Sequence, residues 1–326
     1  MEQLVQAFPQ HVADALSIAR SSTVHLDKNI HNIIISGLGG SGIGGALVRS
    51  LVGDQCPVPI ITNNDYHLPS FANNKTLVII SSYSGNTEET VSVMKQALEA
   101  GCKIACVTSG GQVLDLAKKN NLPAVIIPGG NPPRSMLAFS LIQLLGIFEQ
   151  NGWCNASTLD QVQGAGEMLD RDQGDIKRLA GHLATPLVGK LPVLYISGAL
   201  EPIAIRWRQQ INENSKMLCW HNIFPEMNHN ELVGWEIASQ HISVILLRTE
   251  EDFDRTAVRM DICKGIFGQK APVNEVVARG NNRLERAFFL IHLGDWLSIE
   301  LAKLNNVDPV VIDNIDYLKN ELSKIQ

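Results

Sequence analysis

The sequence predicts an α/β protein with two doubly wound units in tandem, each a parallel β-sheet flanked by helices. Short apolar runs alternate with helical patterns in the first half: NIIIS, PVPIIT, TLVIISS, KIACVTS and AVIIPG. These runs are apolar at consecutive positions, which is typical of parallel strands buried on both faces. The alternation resumes later with PVLYISGA, KMLCWHNIF and ISVILLR. A chain of 326 residues is long enough for two domains.

A domain join is predicted in the polar segment 155–177, which carries Gly, Asp and Gln without a strong apolar stripe. The segment follows an apolar helix predicted around SMLAFSLIQLLGIFEQ. We therefore expect domains at residues 1–153 and 154–326. In the second domain the predicted helices are PIAIRWRQQINENS and RLERAFFLIHLGDWLSIELAKL.

Composition argues against several classes of protein. The net charge of −6 provides no diffuse basic surface, so nucleic acid is not expected as a partner. Six cysteines lie scattered without the paired spacing of a zinc site, which favours reduced thiols and no metal or cofactor. The sequence shows neither a signal-peptide pattern nor an apolar run of about 20 residues, so we expect a cytoplasmic protein without a membrane partner.

Residues 36–45 read SGLGGSGIGG and directly follow a predicted strand. Glycine allows the backbone to approach a ligand closely, and N–H groups at a helix start bind anions. The run has the spacing of a dinucleotide fingerprint, which by itself is a weak signal. It has no lysine of the kind that follows a nucleotide-binding P-loop.

A second loop, SSYSGNTEET at residues 81–90, also follows a strand and opens a predicted helix. Its hydroxyls at Ser82, Ser84 and Thr87 have the spacing to wrap one compact anion, together with Gly40 and Ser41 of the glycine run. The alternative is that these residues are simple helix caps, which favour the same positions. Three hydroxyls beside a second glycine loop favour a phosphate site.

The two loops resemble those of the sugar isomerase (SIS) domain, and the whole chain is similar to the bifunctional phosphoglucose/phosphomannose isomerases. Four further stretches carry the resemblance: NPPRSML, NENSK, PEMNHNE and NIDYLKNEL. The resemblance implies two tandem SIS domains. It also implies a phosphorylated hexose, held by its phosphate in the first domain and isomerised between aldose and ketose through a cis-enediol.

In NENSK, Glu213 matches the family's catalytic base. A carboxylate suits a proton shuttle that must accept and then donate within one turnover. Glu201, just after the strand in PVLYISGA, is the competing candidate because active sites gather at strand ends.

Three further residues match catalytic positions of the family. Arg134 in NPPRSML supplies a fixed cation for the enediolate oxygens. His229 in PEMNHNE and Lys319 in NIDYLKNEL resemble residues that open the sugar ring. In related dimers this histidine reaches into the partner's site, so we expect a homodimer with a shared active site.

The chain departs from the family at Ile312, seven residues before Lys319, where characterised members can carry a threonine that helps accept mannose 6-phosphate. We therefore expect the mannose activity to be weaker than the glucose activity. The alternatives are another SIS-domain phosphosugar isomerase or a non-catalytic phosphosugar-binding regulator.

Overall fold

The computed structural model of the chain describes residues 1–26, 29–237 and 241–325. In the first half, five strands alternate with helices. The helices are α1 (Glu2–Gln6), α2 (Phe8–Ser21), α3 (Gly39–Val52), α4 (Glu88–Glu99), α5 (Gly111–Lys119) and α6 (Leu137–Gln150). The strands are β1 (Asn32–Ser36), β2 (Ile60–Asn63), β3 (Thr76–Ser82), β4 (Lys103–Thr108) and β5 (Ala124–Ile126).

The second half begins with the long helix α7 (Thr158–Ala184). Its strands are β6 (Leu191–Ser197), β7 (Trp220–Phe224), β8 (Ile242–Arg248) and β9 (Val273–Val277). Its remaining helices are α8 (Glu201–Ser215), α9 (Glu231–Gly234), α10 (Asp254–Gly268), α11 (Arg283–Leu304) and α12 (Asp313–Leu322).

The first sheet has the order β2-β1-β3-β4-β5, and all its neighbouring strands are parallel. Strand β1 lies between β2 and β3. After β1 the chain forms β2 at one edge of the sheet and then crosses to the other side of β1 to form β3, β4 and β5. Such a switch in strand order opens a crevice at the carboxyl ends of the strands, which is where α/β sheets bind ligands.

The second sheet repeats this plan with the order β7-β6-β8-β9, again entirely parallel. Its central strands β6 and β8 are buried, as their unbroken apolar sequences predict. The predicted fold class, an α/β protein with two doubly wound units, is therefore confirmed.

Helices α7, α8 and α11 join the two halves around one continuous apolar core. Helix α11 is buried along almost its whole length. A Cβ added at Gly294 of α11 would lie 2.4 Å from the Trp207 ring of α8, so glycine allows these two helices to pack closely. The indole of Trp207 also donates to the Leu290 carbonyl at 2.8 Å. Helix α8 is therefore held firmly against α11.

The polar segment 155–177, where the domain join is predicted, is mostly helical. From Thr158 onward it belongs to α7, which buries Leu159, Val162, Leu169 and Ile176. These positions follow a helical spacing, but glycines and charged residues between them weaken the pattern in the sequence. The domain boundary between residues 153 and 154 stays a prediction.

Strand β9 and helix α10 were not predicted from the sequence. The strand carries Glu275 in its centre, which breaks the apolar run, and it lies at the edge of the sheet. Glu275 accepts from Arg248 at 2.9 Å and from Lys264. An edge strand can carry a charged residue because its side chain reaches ion-pair partners at the surface.

Within the three described ranges, no helix is long and apolar enough to cross a membrane. The six cysteines are free thiols. Burial raises the pKa of Cys106 to about 12, which keeps this thiol protonated and unreactive.

Candidate active site

The glycine run lies where β1 passes into α3, and close packing explains its glycines. A Cβ added at Gly37 would lie 2.6 Å from the carbonyl oxygen of Ser81, at the end of the neighbouring strand β3. A Cβ at Gly40 would lie 3.1 Å from the carbonyl oxygen of Pro133. The start of α3 is therefore pressed between the end of β3 and the 3-10 turn Pro133–Ser135.

The hydroxyl-rich loop meets this glycine run directly. The Ser41 Oγ accepts a hydrogen bond from the backbone N–H of Tyr83 at 3.0 Å, which leaves the hydroxyl proton of Ser41 free to donate. Ser82, the buried last residue of β3, lies with its Oγ 3.3 Å from the Thr87 Oγ1. Ser84 is exposed on the same loop, and its Oγ accepts from the Asn86 N–H at 3.3 Å.

Simple capping does not account for Thr87. It is the N-cap residue of α4, yet its side chain makes no hydrogen bond to the start of that helix. The first backbone N–H groups of α4 have no partner within the helix, as at every helix start, and they carry the positive end of the helix dipole. The cluster thus combines hydroxyls and amide donors. Phosphate binding by these residues stays a prediction.

Arg134 lies in the turn that packs on Gly40, and it is only 5% exposed. Its Nε donates to the Asn214 Oδ1 at 2.8 Å. One terminal nitrogen donates to the carbonyl oxygens of Pro309 at 2.6 Å and Val310 at 3.0 Å. The other faces the Glu213 carboxylate at 3.3 Å. Arg134 therefore ties together the first domain, the end of α8 and the segment before α12.

Burial lowers the pKa of the Arg134 guanidinium, and the Glu213 carboxylate opposes this shift. A guanidinium starts from so high a pKa that it stays charged at neutral pH. Glu213 lies in the last turn of α8 and its side chain is 29% exposed. The site thus holds one buried cation beside a carboxylate that solvent or a ligand can reach.

Glu201, the competing base candidate, lies at the opposite end of α8. Twelve residues of helix separate it from Glu213, which is about 18 Å along the axis. Its carboxylate lies 3.5 Å from the His221 Nε2. Burial and then the Arg208 charge lower the pKa of His221, which opposes an ion pair with Glu201. The structure therefore places Glu213, and not Glu201, beside Arg134.

His229 and Lys319 are not brought to this pair within one chain. His229 is exposed at the end of the 3-10 turn Glu226–His229, and Lys319 is exposed on α12. In the described ranges, neither side chain forms a hydrogen bond or ion pair with Arg134 or Glu213. Ile312, the N-cap of α12, is half-buried two residues after the Val310 carbonyl that Arg134 binds.

Two residues of this region were not predicted from the sequence. Asn214 is fully buried and binds Arg134, although it follows Glu213 directly in the NENSK segment. Lys216 ends α8 in a left-handed conformation with φ of 58°, and its ammonium group donates to the Glu213 carbonyl. Burial lowers the pKa of Lys216, and the nearby charge of Arg134 adds to this effect. Both residues lie in the NENSK segment, and this position was the one sequence feature that pointed to them.

Comparison with known proteins shows which proteins the chain resembles. The family profile described as "Bacterial phospho-glucose isomerase C-terminal SIS domain" matches residues 176–322. A bifunctional phosphoglucose/phosphomannose isomerase of Caldicellulosiruptor bescii is 42% identical over 340 residues, which cover 100% of both chains. One from Aquifex aeolicus is 35% identical over 297 residues and 90% of each chain.

A solved structure of tagatose-6-phosphate ketose/aldose isomerase from Escherichia coli aligns with a TM-score of 0.70. The alignment covers 95% of each chain at 14% identity, so it speaks for the fold alone. Two parallel sheets of this kind, with the matched family profile, place the chain in the class of SIS-domain isomerases. Its full-length similarity goes further: the chain belongs to the family of bifunctional phosphoglucose/phosphomannose isomerases. The resemblance seen in the sequence is confirmed.

Within the described part of the chain, no group of His, Cys, Asp and Glu side chains is arranged to hold a metal ion.

Removing the hydroxyls of the loop tests the predicted phosphate site. We expect Ser84→Ala combined with Thr87→Val to raise KM for the phosphosugar substrate at least about tenfold, because hydrogen bonds to a charged group contribute roughly 1.5–3 kcal/mol each. The value of kcat should change much less, since the phosphate is not a reacting group. Steady-state kinetics measure both constants.

Ser92→Ala is the matched control. Its hydroxyl lies on the same helix but donates to the Tyr66 carbonyl at 3.1 Å, away from the glycine run. An unchanged KM in the folded double variant would show that these two hydroxyls do not bind the phosphate.

Proposed function

We propose that the chain interconverts glucose 6-phosphate, and more weakly mannose 6-phosphate, with fructose 6-phosphate. The observation that carries this proposal is the pairing of Arg134 with Glu213 at 3.3 Å, next to the glycine run. Isomerisation of a phosphosugar needs an anion site, a base and a fixed cation close together. These three elements come from distant parts of the sequence and converge here.

The phosphate is bound by Gly40, Ser41, Ser82, Ser84 and Thr87. In support, the two loops that carry them touch through the Tyr83–Ser41 hydrogen bond at the switch point of the first sheet. Hydroxyls and helix amides bind a phosphate without a paired arginine. In this assignment Arg134 remains available for the sugar.

Glu213 is the base. In the open-chain aldose its carboxylate removes the proton from C2, the C2 electrons form the C1–C2 double bond, and the C1 carbonyl oxygen takes up a proton to complete the cis-enediol. The same carboxyl group then returns its proton to C1, while the proton of the C2 hydroxyl is lost as the C2 carbonyl forms. A single carboxylate thus performs both transfers, and its partial exposure allows the sugar to approach it.

Arg134 stabilises the negative charge that develops on the sugar oxygens. Four hydrogen bonds to described residues hold the guanidinium, which has five N–H groups. The remaining N–H lies on the nitrogen that faces Glu213. A buried, immobile cation stabilises a developing charge more than one in water, because it needs no reorganisation when the charge forms.

His229 and Lys319 open the sugar ring, with His229 supplied by the partner subunit of a homodimer. In support, His229 is exposed and contacts neither Arg134 nor Glu213 through a hydrogen bond in its own chain. Helix α12 buries no side chain, and Tyr317, Leu318 and Leu322 are 67%, 57% and 48% exposed. Exposed apolar side chains on an amphipathic helix indicate a surface that is covered in an assembly.

The proposal also assigns the two domains and the cellular compartment. Residues 1–153 form the phosphate-binding domain, and residues 154–326 form the domain that supplies Glu213, His229 and Lys319. The protein is cytoplasmic, where a reducing environment keeps its six free cysteines reduced.

Replacing the base tests the catalytic assignment. We expect Glu213→Gln to lower kcat by on the order of 10²–10⁴-fold, the range typical of lost general-base action, while the phosphosugar still binds. Glu201→Gln is the matched control and should retain near wild-type kcat. The assay starts from fructose 6-phosphate and follows both hexose 6-phosphates. A wild-type protein that binds phosphosugar without turnover would instead be a regulator.

A mixed dimer tests the shared site. Glu213→Gln and His229→Ala are each expected to be inactive as homodimers. Mixing and reassembling them restores one intact site in each heterodimer, so about a quarter of wild-type activity should return in a twofold-symmetric dimer. No recovery in verified heterodimers would show that both residues act within one chain.

Ile312 tests the mannose reaction. To form mannose 6-phosphate the enediol must turn so that its proton returns to the opposite face of C2, and an apolar side chain offers no hydrogen bond for this step. We expect Ile312→Thr to raise the ratio of mannose to glucose isomerisation. A new hydrogen bond that lowers the barrier of the mannose reaction by about 1.4 kcal/mol would raise this ratio tenfold. A wild type and a variant that both lack mannose 6-phosphate conversion would limit the enzyme to glucose.

A further inference from the structure

A buried polar stripe runs along α8 behind the proposed active site. Arg206, Gln210 and Asn214 are four residues apart and only 2%, 2% and 0% exposed. Side chains at this spacing lie on one face of a helix. That face packs against α11, where Asp295 and Ser298 are also buried.

The stripe is built around a buried ion pair. The guanidinium of Arg206 donates to the Asp295 Oδ2 at 2.6 Å, and the Gln210 amide donates to the Oδ1 at 2.9 Å. Buried ion pairs seldom stabilise a fold more than apolar residues of the same size, because removing two charges from water is costly. Stability alone therefore does not explain this pair.

Both ends of the stripe reach Arg134. Arg206 donates to the backbone carbonyl of Arg134 at 3.1 Å, and the Asn214 Oδ1 accepts from the Arg134 Nε at 2.8 Å. The stripe thus fixes the main chain and the side chain of Arg134 at once. With Nε held by Asn214, the other edge of the guanidinium is directed toward the Glu213 carboxylate.

The orientation of the Asn214 amide is fixed in turn. Its Nδ2 donates to the Ser298 Oγ at 2.9 Å, and that hydroxyl donates to the Asp295 carbonyl at 2.7 Å. Because the Ser298 hydroxyl donates its proton to the Asp295 carbonyl, its oxygen acts as the acceptor for Asn214. The amide oxygen must then point toward Arg134.

We propose that Asn214 is a positioning residue for Arg134, and that the Arg206–Asp295 pair holds the turn Pro133–Ser135 in place behind it. This inference rests on the proposed role of Arg134 in stabilising the enediolate. The stripe acts through Arg134, so its loss changes the reaction rate more than the binding of substrate.

The experiment compares Asn214→Leu, which removes both hydrogen bonds at similar volume, with Asn305→Leu. The amide of Asn305 donates to the Ser215 carbonyl at 3.1 Å and so supports the same end of α8 without touching Arg134. We expect Asn214→Leu to lower kcat by about 10–100-fold with KM changed less than about threefold, as for an interaction made in the transition state. Asn305→Leu should keep wild-type kcat.

Asn214→Asp adds a readout that a purely structural role would not change. It keeps an acceptor for the Arg134 Nε, so most of kcat should return. Rescue by this variant would show that the acceptor at position 214 acts on Arg134, because the amide donor is lost in both variants. A kcat as low as that of Asn214→Leu would contradict the positioning role.

Arg134→Gln separates this inference from the proposed function. If Arg134→Gln loses activity while folded Asn214→Leu keeps wild-type kcat, the positioning role is overturned and the function stands. If Arg134→Gln keeps its activity, the proposed role of Arg134 fails and the inference fails with it.

Should Asn214→Leu not fold, Ser298→Ala takes its place, because it frees the Asn214 amide to rotate. We then expect a kcat loss of about 3–10-fold, and an unchanged kcat would again overturn the inference.

Discussion

The guanidinium of Arg134 joins three segments that are far apart in the sequence. It binds the end of α8 through Glu213 and Asn214, and it binds two carbonyl oxygens of the segment before α12. The backbone of its turn packs on Gly40 of the first domain. A buried cation is stable only where its donors find acceptors, so the two halves of the chain must meet in this arrangement for Arg134 to be accommodated. The geometry of the site is therefore tied to the packing of the domains.

The two sheets share one plan but differ at their carboxyl ends. In the first sheet, glycines and hydroxyls follow β1 and β3, which leaves small donors and open backbone amides. In the second sheet the residues after β8 are acidic, and Glu251 there accepts from Arg283 at 3.1 Å and from Arg286 at 2.6 Å. The two arginines already have a carboxylate partner, so they are less available to bind a phosphate. This difference supports the proposal that the phosphate binds in the first domain and that the second contributes the base.

A single chain leaves part of its surface apolar. Helix α12 has no buried side chain, and Ile237 and Leu218 are 93% and 82% exposed. The residues proposed for ring opening lie on α12 and on the turn after β7. If assembly covers these elements, dimerisation and completion of the active site are the same event. Activity would then depend on protein concentration near the dissociation constant of the dimer.

The sequence by itself determined the fold class and the two anion-loop candidates, because strand burial and glycine loops are local patterns of neighbouring residues. The sequence singled out Glu213 among the glutamates only because the NENSK segment resembles the family's catalytic segment. It failed at α7 and β9, where charged residues interrupt the apolar pattern although tertiary contacts bury the rest. Only the tertiary structure decided that Arg134 contacts Glu213 and that Asn214 lies behind them. Those contacts join residues about 80 positions apart, and no local pattern encodes such pairs, since a buried polar stripe and an exposed one have the same spacing in sequence.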